Sequence, residues 1–105
     1  MANPVRGQVY MATLGKHRKP WLIVSNNARN SSGLGTVLAV RITTSRKPSL
    51  DSIVELSNDD SFEGRVLCDD ITVLYQDELD DLVGYLSPST MMRIDLGLRA
   101  ALALR

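Results

Sequence analysis

Trp21-Leu22-Ile23-Val24 is an unbroken apolar run that follows Pro20 and predicts a buried central strand. A short apolar run bounded by turn residues is typical of such a strand, and proline is tolerated at the first position of a strand. A second long strand is predicted downstream by Thr36-Val37-Leu38-Ala39-Val40-Arg41-Ile42-Thr43. The fold is therefore expected to be built around a β-sheet.

Shorter β-prone segments lie on both sides of this pair of strands, at residues 6–13, 52–56, 65–69, 71–74 and 82–86. Residues 14–19 are expected to form a polar connection, and residues 25–33 a long turn-rich loop. Ser87 followed by Pro88 is the pattern of a helix N-cap and first turn, and apolar residues at helical spacing extend this predicted helix to about residue 103. The sequence predicts a mainly β (α+β) fold, a strongly bent antiparallel sheet or barrel of five to seven strands with a C-terminal helix, as one domain over 1–105.

The charge of the chain is divided between two halves. Eight Lys or Arg residues precede Asp51, the first acidic residue; from there on all twelve acidic residues accompany four arginines. The net charge of zero therefore conceals a basic N-terminal segment, in which Lys16-His17-Arg18-Lys19 and Thr43-Thr44-Ser45-Arg46-Lys47 place cations beside hydroxyls. Such asymmetry indicates a surface for a polyanion, and this combination of groups suits phosphate recognition.

The composition narrows the class of protein further. The sequence has no apolar run long enough to span a membrane, and its first seven residues are not expected to act as a signal peptide because they lack an apolar stretch. Cys68, the single cysteine, cannot form an intramolecular disulfide, which favours a reducing compartment and hence the cytoplasm. One histidine and one cysteine argue against a structural zinc site. No metal and no cofactor are expected.

The order of the segments resembles the MazF/PemK toxins of type II toxin–antitoxin modules, whose SH3-like barrel is shared with CcdB. The resemblance covers roughly residues 5–103. It is carried by Arg6-Gly7-Gln8-Val9-Tyr10, Lys19-Pro20-Trp21-Leu22-Ile23-Val24-Ser25-Asn26, Val40-Arg41-Ile42-Thr43-Thr44, Gly64-Arg65-Val66-Leu67-Cys68-Asp69-Asp70-Ile71, and a closing helix with Leu98 and Leu102.

The resemblance implies a metal-independent, sequence-selective endoribonuclease that inhibits growth. Members of this family cut single-stranded RNA by attack of a 2′-hydroxyl on the adjacent phosphate, which leaves 2′,3′-cyclic phosphate and 5′-hydroxyl ends. They act as homodimers, and a cognate antitoxin silences them by laying its C-terminal segment in the RNA groove.

The same resemblance implies the catalytic residues. The family uses an arginine directly before the proline of the second strand and a threonine at the end of the third. Here these positions hold Lys19, with Arg18 one place earlier, and Thr43. A lysine supplies a point charge in place of the bidentate guanidinium fork, and it is also a candidate proton donor to the leaving oxygen.

Seven further residues are candidates for RNA binding. His17 lies in the basic segment and carries an imidazole, which exchanges protons near neutral pH. An asparagine can read base edges, while basic side chains follow the RNA backbone and carry no sequence information. The full set is His17, Lys16, Asn26, Thr44, Arg46, Lys47 and Asp70.

Structural roles remain open for these positions, because solvated loops, turns and strand interiors use the same residue types. Two other functions also remain open. One is a non-catalytic toxin of the CcdB type that traps DNA gyrase through its C-terminal helix; the apolar end at residues 100–105 has no aromatic residue to favour it. The other is a barrel that binds RNA without cutting it.

Overall fold

Thr36–Thr43 forms β3, the strand around which the sheet is organised. The structure is a computed structural model that describes residues 3–105. The other strands are β1 (Gln8–Leu14), β2 (His17–Ile23), β4 (Ile53–Glu55), β5 (Arg65–Leu67), β6 (Thr72–Tyr75) and β7 (Leu79–Tyr85), and the α-helices are α1 (Asn27–Asn30) and α2 (Pro88–Leu102). A 3₁₀ turn at Gln76–Glu78 joins β6 to β7.

All strand pairs are antiparallel, and the sheet runs in the order β4-β5-β3-β2-β1-β7. Along one edge, β3 pairs first with β6 and then, from Ile42, with β5; its other edge pairs with β2. Because one strand serves three partners, the sheet bends sharply along β3. The prediction of a mainly β fold with a bent antiparallel sheet and a C-terminal helix is confirmed.

The connection predicted over residues 14–19 is wrong, because β1 and β2 form a tight hairpin. Leu14 pairs directly with His17, which leaves Gly15 and Lys16 as the turn. Gly15 has φ +64°, the left-handed backbone that the first position of a type II′ turn requires of glycine. The segment His17-Arg18-Lys19 therefore lies in a strand, where successive side chains point to opposite faces of the sheet.

The turn-rich loop predicted over residues 25–33 contains the short helix α1. Asn26 is its N-cap, and the Asn26 side chain accepts a hydrogen bond from the Arg29 backbone N–H at 3.2 Å. Asn30 is buried, and its amide nitrogen donates to the Ser25 carbonyl at 3.1 Å. Four residues are too few to give a helical periodicity in sequence, so the pattern showed only turn formers.

The two faces of the sheet carry separate apolar cores. The first core packs under α2 and includes Val9, Leu22, Val40, Val66 and Ile94, all fully buried. The second core lies on the other face and contains Ala12, Trp21, Ile23, Val37, Ala39 and Leu74. Alternation along β2 and β3 sends neighbouring residues into different cores.

The predicted C-terminal helix is confirmed, with Ser87 as N-cap and Pro88 in the first turn. The Asp60 carboxylate accepts hydrogen bonds from the Ser87 backbone N–H at 2.9 Å and from the Thr90 hydroxyl at 2.6 Å, which fixes the start of α2. Within residues 3–105, neither helix has the length and apolar character needed to cross a membrane.

Candidate functional site

A cleft of about 240 Å³ opens where β3 ends beside β2. It brings together three residues that the sequence proposed, Lys19, Thr43 and Thr44, and therefore places a cation and two hydroxyls around one space. Its walls are completed by Pro20, Arg41, Ile42, Ser45, Phe62 and Glu63.

Thr43 is held firmly at the edge of this cleft. It is 9% exposed, and its Oγ1 accepts a hydrogen bond from the Ser45 backbone N–H at 3.1 Å. Gly64 packs against it so closely that an added Cβ would lie 2.1 Å from the Thr43 carbonyl oxygen, and Gly64 also has φ +111°. Because no other residue fits this approach, Gly64 fixes the backbone that carries the hydroxyl.

Arg65 secures the segment that follows Thr43. One terminal nitrogen of its guanidinium donates to the carbonyls of Thr44 and Ser45, at 3.2 Å each, and its Nε pairs with the Glu55 carboxylate at 2.9 Å. The backbone that carries the cleft hydroxyls is therefore held in place by the end of β3, by the close contact with Gly64 and by the hydrogen bonds from Arg65.

Lys19 and Arg18 lie on opposite faces of β2. Lys19 shares the face of Trp21 and lines the cleft. Arg18 pairs instead with two carboxylates of β7, with 2.5 Å between its terminal nitrogen and Asp81 and 3.6 Å between its Nε and Asp80. The structure therefore brings Lys19, and not Arg18, to Thr43.

A second cleft of about 420 Å³ lies beside the first and shares two of its residues, Lys19 and Arg41. Its other lining residues are Leu14, His17 and Trp21, so the predicted His17 faces this space. Sequence reasoning missed Arg41 as a site residue, because it lies within an apolar strand and was treated only as part of that strand. A usable signal was its position two residues before Thr43, which puts both side chains on one face of β3.

The remaining predicted residues do not line either cleft. Lys16 lies in the hairpin turn, Arg46 and Lys47 lie in an exposed segment after β3, and Asn26 caps α1. Asp70 is exposed after β5, and its carbonyl accepts a hydrogen bond from the Thr72 hydroxyl at 3.1 Å. RNA contacts by these residues stay predictions.

Two other reactive groups bear on the chemistry. Burial, with a smaller contribution from Asp69, raises the pKa of the Cys68 thiol to about 12, so at neutral pH the thiol is protonated and packs in the core. Glu63 is the one carboxylate that lines the first cleft. Among residues 3–105, no three His, Cys, Asp or Glu side chains are grouped closely enough to hold a metal ion.

Comparison with known sequences identifies the family. The model of the PemK-like, MazF-like toxins of type II toxin–antitoxin systems matches residues 5–102. Endoribonuclease MazF4 of Mycobacterium tuberculosis H37Rv is 46% identical over 104 residues, which are 99% of this chain and 97% of that protein. Endoribonuclease MazF1 of Mycobacterium bovis matches with the same identity and coverage.

Comparison with solved structures agrees. A mycobacterial endoribonuclease in complex with its cognate antitoxin superposes with a TM-score of 0.91 at 46% identity, over 97% of each chain. A MazE–MazF complex from Deinococcus radiodurans shares the fold, with a TM-score of 0.82 at 20% identity over the full length of both chains. The chain belongs to the PemK/MazF family of type II toxin–antitoxin toxins.

Proposed function

We propose that this protein is an endoribonuclease toxin that cuts single-stranded RNA without a metal ion, through attack of a 2′-hydroxyl on the adjacent phosphate. Full-length relatives at 46% identity are endoribonucleases by name, and this favours RNA cleavage over a gyrase-trapping toxin. The observation that carries the proposal is the joint placement of Lys19 and Thr43 in one cleft.

The residues of the cleft supply each part of the reaction. The Glu63 carboxylate accepts the proton of the 2′-hydroxyl, whose oxygen forms the new bond to phosphorus. The Thr43 hydroxyl and the Lys19 ammonium stabilise the negative charge that develops on the phosphate oxygens. The bond from phosphorus to the 5′-oxygen then breaks, and Lys19 donates a proton to this leaving oxygen.

Substitutions that keep the shape of the cleft test this assignment. We expect Lys19→Met and Thr43→Val each to lower the cleavage rate by about 10²- to 10³-fold, since each removes a donor to the reacting phosphate. The assay uses purified protein and a long single-stranded RNA in excess EDTA, with mapping of the fragment ends. The control is Arg99→Met, a change on the exposed last turn of α2, which should cut at the wild-type rate.

Discrete cuts with 2′,3′-cyclic phosphate and 5′-hydroxyl ends, and no cuts in the DNA analogue, would support the proposed reaction. RNA binding without cleavage by the wild-type protein would mean a non-catalytic RNA-binding barrel. Wild-type rates in both cleft variants, with thermal unfolding unchanged, would move the reaction away from this cleft.

We further propose that the toxin acts in the cytoplasm as a homodimer that an antitoxin silences. One similar structure is a mycobacterial endoribonuclease in complex with its cognate antitoxin, and another is a MazE–MazF complex. Exposed apolar side chains on α2 (Met92, Leu96) and on β7 (Leu82, Tyr85) offer surfaces for a second copy. Sedimentation equilibrium of the free protein tests the dimer: a monomer at micromolar concentration would contradict it.

A further inference from the structure

Two buried N–H donors on the cleft face of the sheet have no partner. Among the described residues 3–105, the indole Nε1 of Trp21 and the guanidinium Nε of Arg41 are both covered from solvent and make no hydrogen bond. Buried polar groups in folded proteins are almost always paired, so an unpaired donor calls for an explanation. Two such donors on neighbouring residues indicate a binding site for a ligand that carries hydrogen-bond acceptors.

The two donors belong to neighbouring side chains. Trp21 on β2 and Arg41 on β3 are a directly opposed pair in the sheet, so their side chains project from the same face. Both line the second cleft, and Arg41 also lines the first, where the phosphate chemistry is proposed. A ligand held at Arg41 therefore lies next to the cleaved bond.

The larger cleft suits a nucleobase better than a second phosphate. Its volume of about 420 Å³ falls in the range of small-molecule sites, and Leu14 and the Trp21 ring give it apolar walls. Besides His17, its polar side chains are donors: the Lys19 ammonium, the Arg41 guanidinium and, once uncovered, the Trp21 indole N–H. Among residues 3–105 no acidic side chain lines it, so the His17 imidazole is the side chain there that can accept a hydrogen bond from an exocyclic amino group.

We propose that this cleft binds the nucleobase next to the cleaved phosphate and that Arg41 selects bases that present carbonyl acceptors, guanine or uracil, over adenine and cytosine. The distinction lies in one position of each ring: guanine offers O6, with N7 beside it, and uracil offers O4 to the guanidinium fork, whereas adenine and cytosine carry an amino group there. Because both orphan nitrogens are covered in the free protein, the side chains around them must shift for the base to reach them. This inference rests on the proposed function, since it assumes RNA in the first cleft.

The test compares short RNAs that share one cleavage site and differ only in the base on either side of it. For the wild-type protein we expect kcat/KM to favour guanine or uracil at one of these positions by about tenfold to 100-fold, as a bidentate base contact supplies. Arg41→Met should remove this preference and lower the rate for the preferred base to that for the others. Arg41→Lys, which keeps the charge and loses the fork, should retain only part of the preference.

Trp21→Phe keeps the ring in the core and removes only the orphan N–H. If Trp21 has only a structural role, the Trp21→Phe variant will keep the wild-type base preference. The proposed role predicts a smaller base preference in this variant, with a thermal unfolding temperature at or above that of the wild type. Arg99→Met is the matched control for loss of an arginine and should keep the full preference.

Equilibrium binding of the same RNAs with a 2′-deoxy nucleotide at the cut separates this inference from the proposed function. A protein that binds these analogues with the Arg41-dependent preference but never cuts RNA would refute the proposed function and support the base site. Equal cleavage and equal binding of all four bases by the wild-type protein would overturn the base site, as would a preference that survives Arg41→Met.

Discussion

The two faces of the sheet differ in how completely their side chains are satisfied. On the face under α2, Leu22, Val40 and Ile94 are fully buried, and Cys68 is packed against the helix. On the opposite face, the same two central strands carry Trp21 and Arg41, each with one buried N–H donor that has no partner within the described part of the chain. Because successive residues of a strand alternate between faces, the same two strands contribute to an apolar core on each side, and the unpaired donors lie on only one of these sides.

The largest effect is expected at Gly64, whose close contact with the Thr43 backbone bears on both stability and cleavage. A Cβ there would lie 2.1 Å from the Thr43 carbonyl oxygen, and φ is +111°. We expect Gly64→Ala to lower the free energy of unfolding by about 3 kcal/mol or more and to abolish cleavage, because the Thr43 backbone must move. Denaturant unfolding and the RNA assay measure the two effects.

Gly33→Ala is the control for Gly64→Ala, because Gly33 also has positive φ (+89°) but an added Cβ would meet nothing within 4 Å. It isolates the backbone cost, about 1–2 kcal/mol, with cleavage intact. Equal losses of stability in the two variants would show that the close contact at Thr43 contributes nothing.

The next effect lies on the helix face and should change stability alone. A Cβ on Gly97 would lie 2.8 Å from the Cys68 Sγ and 2.9 Å from a Val54 methyl carbon. We expect Gly97→Ala to cost about 1–3 kcal/mol of unfolding free energy through overpacking, with kcat unchanged for the folded fraction. Thermal and denaturant unfolding measure this cost.

Cys68→Ala should recover part of that loss when combined with Gly97→Ala, since it removes the nearer of the two obstacles. The coupling in this double-mutant cycle is expected to exceed about 0.5 kcal/mol. Strictly additive losses would mean that the helix shifts away from Cys68 rather than pressing on it.

The smallest effect is expected at Arg18, beside Lys19 in sequence and across the sheet from it in space. Its ion pairs with Asp80 and Asp81 join side chains that are 47–72% exposed, and exposed pairs contribute about 0–1 kcal/mol. Arg18→Ala should therefore lower the unfolding midpoint only slightly and leave the cleavage rate within about twofold, unlike Lys19→Met. A loss of cleavage as large as that of Lys19→Met would mean that Arg18 leaves its carboxylates and enters the cleft when RNA binds.

The long elements could be predicted from the sequence because local pattern and tertiary packing agree there. The strand Thr36–Thr43 has the predicted bounds, and α2 begins at the predicted cap, Ser87. The segment His17-Arg18-Lys19 predicts a connection, because these three polar residues show no apolar alternation. Its strand structure comes from pairing with β1, which a single segment does not reveal.

The candidate site was predicted in part. The register of the family placed Lys19 and Thr43, and the structure brings both to one cleft. The partners of Arg18 lie more than sixty residues further along the chain, and no local pattern connects them. Arg41 was missed because one charge in an apolar strand looks like a tolerated exception, and only the hydrogen bonds of the described residues show that its Nε has no partner.

The tight hairpin at Gly15 and Lys16 also limits how the site can evolve. Loops usually change by gaining or losing residues, but β2 is held in register by its pairs with β3, and its turn already has the minimum of two residues. Deleting Lys19 would bring Arg18 to the position before the proline, but it would also take one residue from a hairpin whose turn has only two. The lysine at this position can therefore be replaced by arginine through a point mutation, but not through a change in the length of the hairpin.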